Sequence, residues 1–583
     1  MPRQSVDPSS HSLTGQIWSE NAVVPEPVNQ ISEACDIPEV AAKCLVLRGW
    51  DDVEHAQRAL APQIDDLHDP YDMLGMAAAV SRIRQAVDQH EKIRIVTDYD
   101  VDGTTSSLIL QATLTLLGVA SDQLDYHIPD RFNEGYGFSV DAAKRAVEDN
   151  VSLLLTADIG VRDQVSVATA ADGGIDVIIC DHHLPDGESV PERAYAVLCP
   201  PQVDCDYPNP ALAACGVSLK LAQALLDTHA AKDVMIRSLM KLAAIGTVAD
   251  VVDLANPENR AIVTLGLQSL SQGPNNAGLH ALLEIAGCSG RTVTAEDCGF
   301  RLGPRINAAG RLEHAGIAVQ LLLERDPAKA NALASEIEAL NQARKQMQED
   351  LVQRALQALP DPLPAFPLFG GTAEEGWHKG LSGIIASKLK EALHRPVGVY
   401  AIGPDDYATA SVRSVPAVHA VHALDASSDL LEKYGGHPVA AGFTAHRDRL
   451  TKLQSQLSDF ANDSSSNLGQ APERNYDATA SASTLNLALA KCIERLGPFG
   501  KGNAAPIFRI VGVKTSGVRT LNNKHLRFDL GPGVSAIWWR AAEHRSALVD
   551  TDVELIGRLE INRWRGRVNA QIVVEDVIIS PQD

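Results

Sequence analysis

Between residues 93 and 250 short apolar runs alternate with stretches of helical character. Residues 93–97, 151–156 and 177–180 read as buried strands, 196–198 as a further short one, and 106–117 as the first intervening helix. Uninterrupted apolar runs separated by helical segments are the pattern of a mostly parallel sheet covered on both faces. Further on the pattern changes. Asp326-Pro327 marks a helix start, with aspartate at the cap and proline in the first turn. The sequence stays helix-compatible to about residue 358, before Pro360, Pro362 and Pro364. One helix of that extent would run about 50 Å and could join two domains. A second α/β unit occupies 365–447, and the polar stretch 461–473, with Ser464, Ser465 and Ser466, reads as a linker. After a helix near 485–496 the tail is strand-rich. Its runs at 507–514, 525–530, 534–539, 553–562 and 568–577, divided by Gly- and Asn-rich turns, suit a small barrel of the OB type.

These elements predict a division into a tail and lead-in (1–45), a catalytic domain (46–325), a connecting helix (326–360), a second α/β domain (361–460), a linker (461–475) and the barrel (476–583). A chain of 583 residues is too long for one core, so several domains are expected in any case. Residues 1–15 are polar and rich in Pro and Ser, and read as a disordered tail. No apolar stretch is long enough to span a bilayer. The nine cysteines are scattered without CxxC pairs, which reads as reduced thiols. A net charge of −23 argues against indiscriminate polyanion binding, while leaving room for local basic patches.

The candidate chemistry lies at the ends of the apolar runs. Asp98, Asp100 and Asp102 follow the first, Asp158 the second and Asp181-His182-His183 the third, while Asp250 closes the run 245–249. The ends of such strands are where open α/β sheets bind ligands. Carboxylates this close raise one another's pKa unless a cation offsets them. Asp100 and Asp102, read as lying on an extended strand end, would point the same way, and Thr104, Thr105 and Ser106 could cap the next helix. Singly, each acid also has an ordinary reading as a turn, cap or surface residue. Jointly they point to a dinuclear metal site for phosphoester hydrolysis.

The segments TDYDVDG (97–103), TADIG, Asp181-His182-His183 and GTVADVV resemble the four motifs of the DHH phosphoesterase superfamily. Arg305-Ile306-Asn307-Ala308-Ala309-Gly310-Arg311, Gly376-Trp377-His378 leading into GLSGIIASKL, Tyr434-Gly435-Gly436-His437 and GPFGKGN (497–503) narrow the resemblance to the RecJ exonucleases. It covers the chain from about residue 45 onward. It implies a DHH-type sheet domain, a long helix, a DHH-associated α/β domain and a C-terminal OB-type β-barrel. The implied reaction is metal-dependent 5′→3′ hydrolysis of single-stranded DNA to mononucleotides in repair and recombination. Asp102, Asp158, His182 and Asp250 would hold one cation and Asp98, Asp100 and the bridging Asp158 another, with manganese or magnesium suited to such oxygen-rich ligands. A water between the ions would attack the phosphorus in line, and His183 would bind the phosphate or donate a proton. The cysteine pattern reads as cytosolic and, with no membrane-length apolar run, gives a cytoplasmic protein without membrane contact as the expectation, while the resemblance implies single-strand binding protein and a recombination helicase as partners.

For the substrate, Arg305 and Arg311 flank small residues around Asn307 that would let backbone approach a phosphate. In the second domain, His378, Ser411, Arg413, Gly435, Gly436 and His437 would help to hold a terminal 5′ phosphate, the glycine pair offering backbone amides. Lys379 and Val412 depart from the family pattern there, and the second departure weakens the carry-over to Ser411 and Arg413. From residue 500 onward twelve Lys/Arg face nine Asp/Glu. Arg563, Trp564, Arg565 and Arg567 crowd a hairpin turn suited to single strands, whereas of Trp538 and Trp539 one should face the core and only the other could stack, packing being the favoured reading. Two other readings compete with this one. A small-phosphoester hydrolase is disfavoured by the chain's length and by Val96, where the pyrophosphatase branch has histidine. A non-catalytic binding module is disfavoured because every motif ligand is present.

Overall fold

The computed structural model describes residues 11–129, 134, 137–187, 189–273, 275–312, 316–564 and 566–579. The chain divides into two compact units, the first comprising residues 1–310, 315–335 and 473–583, the second 311–314 and 336–472.

In the first unit five strands form a wholly parallel sheet in the order Leu124–His127, Ile93–Thr97, Leu153–Ala157, Asp176–Cys180, Ala196–Leu198. The central strands are buried nearly throughout, which is why they are apolar runs rather than alternating ones. Helices Met76–Asp88, Val101–Leu116, Ala214–Leu225 and Lys232–Ala249 share one core with the sheet, and Val140–Glu148 and Gln164–Asp172 share the other. In chain order the strands run 2-1-3-4-5. Growth therefore reverses between Ile93–Thr97 and Leu153–Ala157, and crossovers to opposite faces leave a crevice at the C-terminal ends of those two strands.

The helix after the first strand begins at Val101, not near residue 106. Asp100 is its N-cap, accepting from the amides of Asp102 at 2.8 Å and Gly103 at 3.1 Å, so Asp102 lies in the first helical turn and not on an extended strand. Thr104, Thr105 and Ser106, the expected caps, are buried inside the helix. Gly103 is required by proximity: a Cβ there would lie 2.3 Å from Asp98 O.

The C-terminal part of the first unit is an eight-stranded sheet, larger than the five strands anticipated. In order, Ala478–Ser481, Phe508–Lys514, Asp552–Trp564, Arg567–Ile579, Val534–Trp538, His525–Gly531 and Ser516–Leu521 adjoin, with His11–Ser12 on Arg567–Ile579. Ser516–Leu521 escapes a sequence reading because it is mostly exposed and lacks apolar alternation. The lead-in is no tail beyond residue 11. Helices Pro25–Cys35, Glu39–Val46 and Val53–Leu60 bury Ile31, Leu45 and Ala56 in one core with Phe508, Phe528 and Ile572 of this sheet, and residues 1–10 of the expected tail lie outside the described residues.

The second unit holds a five-stranded mixed sheet in the order Lys433–His437, Ala440–His446, Tyr407–Arg413, Val397–Ile402, Leu368–Thr372. The helix Leu450–Ser464 packs Leu453, Leu457 and Ala461 into its core, so the stretch read as a linker starts as helix. Helix Pro327–Gln357 is continuous over 31 residues.

A buried ion pair braces the first unit. Lys220 and Glu258 lie 3.2 Å apart with both side chains fully buried. Glu258 also accepts from Tyr207 Oη at 2.7 Å, Asn209 Nδ2 at 3.1 Å and His68 N at 3.1 Å. Removing the carboxylate leaves a buried charge and three donors unmatched, so Glu258→Ala is expected to destabilise by about 3–5 kcal/mol. The exposed Arg193–Asp172 pair, 2.8 Å apart, predicts at most about 1 kcal/mol for Arg193→Ala. Chemical unfolding of the two variants beside the parent checks the contrast; equal effects would refute it.

Candidate metal centre

The acids predicted from the strand ends meet at the crevice. Oxygens of Asp98, Asp100 and Asp158 lie within 4.8 Å of one another, as do ligand atoms of Asp102, His182 and Asp250, and of Asp158, Asp181, His182 and His183. His182 joins the groups: its Nε2 is 3.2 Å from Asp158 Oδ1 and 3.9 Å from Asp102 Oδ2, and its Nδ1 is 3.6 Å from Asp250 Oδ2.

Each side chain is placed by a different local device. Asp158 follows Leu153–Ala157 with φ +63, a left-handed conformation in which Asp is among the more tolerated residues, and its amide donates to Cys180 O at 3.0 Å. The Asp102 carboxylate accepts from Ala214 N at 2.7 Å and Cys215 N at 2.9 Å, the first amides of helix Ala214–Leu225. It thus sits against two helix N-termini, where partial positive charge favours an anion. No sequence signal marked Ala214 and Cys215 for this role. Asp250 caps the C-terminal end of helix Lys232–Ala249, the end that disfavours a carboxylate.

Asp181 points inward. Its oxygens accept from Val161 N at 3.0 Å, His182 N at 2.7 Å and His183 N at 3.1 Å, and Oδ1 lies 2.8 Å from His183 Nδ1. Burial opposes a charge on His183, but the hydrogen bond and the negative charge of Asp181 together outweigh it and raise the histidine's pKa. Burial likewise opposes charge on Asp181, yet the bonds from His183 and Val161 hold its pKa below the usual value.

The other acids are under stress. Burial, reinforced by Asp100, Asp102 and Asp98, holds Asp158 well above the ordinary carboxylate range. Burial also raises Asp102, and burial with the charges of Asp102 and Asp100 pushes Asp250 up to about 8. His182 Nε2 is buried and makes no hydrogen bond despite the nearby Asp158. Crowded oxygens with one imidazole nitrogen unsatisfied are a donor set that fits hard divalent cations.

The remaining predicted residues lie elsewhere. Arg305 is buried in helix Gly303–Leu312, giving Nη1 to Arg301 O at 2.8 Å and Nη2 to Ile285 O at 3.1 Å. The segment around Asn307 is therefore helix, not the open stretch expected for close backbone approach, and Asn307 is half-buried on it. In the second unit, Arg311 Nη1 donates to Gly380 O at 3.1 Å, and His378 Nδ1 accepts from Gly380 N at 3.2 Å. Ser411 and Arg413 share a sheet face with Gly435 and His437, because Gly442 opposes both Ser411 and Gly435 and Ala440 opposes both Arg413 and His437. Gly436, with φ +143, lies between Gly435 and His437 on this exposed strand. Gly383, in the first turn of helix Ser382–Leu393, abuts this face: a Cβ there would lie 3.1 Å from Arg413 Nη2 and 3.7 Å from Ser411 Oγ. Arg563 forms a two-pronged pair with Glu494 at 2.7 and 2.8 Å, and Arg565 lies outside the described residues. Trp538 is buried, whereas Trp539 and Trp564 are exposed, so one of the adjacent pair faces the core and the other does not.

Three family domains match the chain: the DHH family N-terminal domain over residues 92–247, the DHHA1 domain over 366–463 and the RecJ OB domain over 476–576. The single-stranded-DNA-specific exonuclease RecJ of Bacillus subtilis is 34% identical over 571 residues, covering 97% of this chain and 71% of that protein. RecJ of Thermus thermophilus in complex with Mn2+ superposes with a TM-score of 0.78 at 29% identity, over 96% of this chain and 79% of that one. The same protein with Mg2+ gives a TM-score of 0.72 at 28% identity, over 96% and 78%.

Asp158→Asn keeps a residue suited to the left-handed turn while removing the most crowded charge. It is expected to raise the thermal stability of the metal-free protein and to weaken Mn2+ binding about tenfold or more. Thermal melts with and without Mn2+ read both effects; unchanged Mn2+ stabilisation would exclude Asp158 from the centre.

Proposed function

The chain belongs to the RecJ family of single-stranded-DNA-specific exonucleases, and from that premise we propose how its residues divide the work. The protein is a hydrolase that degrades single-stranded DNA and uses divalent cations, Mn2+ or Mg2+. The observation that carries this reading is the convergence of acids from three strand ends and one helix end on His182.

Asp102, Asp158, His182 and Asp250 hold one cation, and Asp98, Asp100 and Asp158 the other. When bound, the cations supply Lewis acidity and offset charge building on the phosphate oxygens. Asp102 keeps its orientation through the Ala214 and Cys215 amides. Asp181 fixes His183 through Nδ1, so Nε2 is the ring atom that meets the scissile phosphate or gives a proton to the leaving oxygen. The Asp181 pairing favours imidazolium, which suits either role.

The second unit receives the 5′ end. Arg413, Ser411 and His437 on one sheet face, beside the N-terminus of helix Ser382–Leu393, form a surface suited to a terminal phosphate. His378, Arg311 and the Gly435-Gly436 amides complete it. Digestion runs 5′→3′, as the family resemblance implies. Arg305, turned inward and bonded to two carbonyls, supports the helix near the cleft instead of meeting DNA directly, with Asn307 the more accessible member of that segment. The OB domain grips the strand beyond the cleft; Arg563 there is partly neutralised by Glu494. A cytoplasmic setting suits the nine cysteines, none of them in a disulfide. No helix among the described residues is long and apolar enough to cross a membrane. Single-strand binding protein and a recombination helicase are the partners this role calls for.

With Mn2+ and one oligonucleotide labelled at either end, label should leave the 5′-labelled strand at once as mononucleotide, while the 3′-labelled strand shortens progressively. The opposite pattern would overturn the polarity, and hydrolysis of dinucleotides alone would move the substrate to small phosphoesters. Arg413→Ala is expected to lower the preference for 5′-phosphorylated over 5′-hydroxyl ends about tenfold; competition between the two substrates measures it, and an unchanged ratio would remove Arg413 from the phosphate site.

A further inference from the structure

The motif Gly497-Pro498-Phe499-Gly500-Lys501-Gly502-Asn503 neither ligates a cation nor faces DNA in the reading above. Within the first unit it meets the loop that follows Asp250. Leu254 N donates to Lys501 O at 2.9 Å. A Cβ on Gly502 would lie 1.7 Å from Asp253 Oδ1 and 3.1 Å from Ala255 N, and one on Gly500 would lie 2.8 Å from Leu254 Cδ1. The two segments are thus joined backbone to backbone, and a side chain on Gly502 would strike the Asp253 carboxylate.

The motif is itself rigid. Asn503 is fully buried, its Nδ2 donates to Leu496 O and Pro498 O, both at 2.8 Å, and Gly500 N donates to Asn503 O at 2.9 Å. Helix Pro257–Gln272, which follows the gripped loop, is anchored to the same place. Its buried Arg260 gives Nη2 to Leu496 O at 2.7 Å and Gly497 O at 2.6 Å, gives Nε to Ala59 O at 2.7 Å, and lies 4.7 Å from the Trp50 ring centroid. The loop has need of restraint. Val251, directly after Asp250, has φ +59, a conformation costly for a β-branched residue, and its side chain is largely exposed, so its own packing does little to offset that cost.

We propose that the Gly497–Asn503 segment is a positioning element of the metal centre: it clamps the Asp250 loop in its strained form and so fixes the Asp250 carboxylate beside Asp102 and His182. The proposal rests on the reading of Asp250 as a metal ligand. It makes the segment leading into the C-terminal sheet responsible for metal affinity as well as for holding that sheet in place. Gly502 is its critical position, because a side chain there strikes Asp253 and because its φ of +75 suits glycine.

The test is calorimetric titration of Mn2+ into the metal-free full chain. Gly502→Ala and Asp250→Asn should each weaken Mn2+ binding about tenfold or more, and Gly533→Ala by less than about twofold. Gly533 has φ +78 and nothing within 4 Å of a Cβ, so it imposes similar backbone strain without touching the loop. Adding Asp253→Gly to Gly502→Ala removes the struck carboxylate and should recover about twofold, the lost Asp253–Ala255 bond accounting for the remaining deficit. If Gly502→Ala does not fold, Asp253→Ala replaces it: that variant loses the 2.8 Å bond to Ala255 N without adding an atom, and should weaken Mn2+ binding about fivefold. Parent-like binding by Gly502→Ala, or by Asp253→Ala in its stead, while Asp250→Asn binds weakly would overturn the clamp. Equal losses in Gly533→Ala and Gly502→Ala would overturn it too, as a general loosening. Parent-like binding by Asp250→Asn would overturn the ligand reading beneath it.

Discussion

Carboxylates gathered out of water repel one another, and the first unit is organised around where that repulsion can be borne. Asp100 and Asp102 have help from the backbone: one caps a helix, and the other lies in its first turn against the amides opening a second helix. Asp158 and Asp250 have none of comparable strength. One stands in a left-handed turn and the other at a helix C-terminus, and these two have pKa values raised well above the usual range. The backbone thus offsets part of the repulsion and leaves the rest to be offset by cations, which couples metal binding to proton release.

Much of this was legible because the motif acids fall at the ends of apolar runs, and a parallel sheet with crossover helices brings such ends to one edge. The apolar run before Asp250 left the type of element open, since an apolar segment buried on all sides fits a helix as well as a strand; it is the end of helix Lys232–Ala249. The helix start at Val101 was missed for a similar reason. Asp100 can both cap a helix and bind a cation, and attention to the second property hid the first. The amides of Ala214 and Cys215 were invisible because a backbone donor leaves no residue signature. Asp181 was read with the two histidines beside it, but nothing in the sequence distinguishes a carboxylate that orients a histidine from one that faces the crevice.

The positive charges show how far partners alter what a sequence count implies. An acidic chain that acts on a polyanion must place its cations selectively, and the arginines that stand out in the sequence are not equally available. Arg305 is committed to carbonyls inside a helix, Arg260 is buried against a tryptophan and three carbonyls, and Arg563 is paired with Glu494. An arginine bonded to carbonyls contributes rigidity, and one paired with a carboxylate contributes little field. Arg413 likewise gives Nη1 to Val412 O at 2.8 Å, on the sheet face it shares with Ser411 and His437.

Both ends of the described chain lie in one core. His11–Ser12 adds to the C-terminal sheet, and the helices between residues 25 and 60 share its buried side chains. Arg260 then ties Ala59, Leu496 and Gly497 to the helix that follows the Asp250 loop. These contacts are distant in sequence, so their loop-closure entropy must be met before they stabilise anything. Once formed, they tie the helix after the Asp250 loop to the core that both ends of the described chain share. A sequence division that ends the catalytic domain at the connecting helix follows the motifs. The physical unit follows the packing, which carries the metal edge of the parallel sheet and the C-terminal sheet as one body.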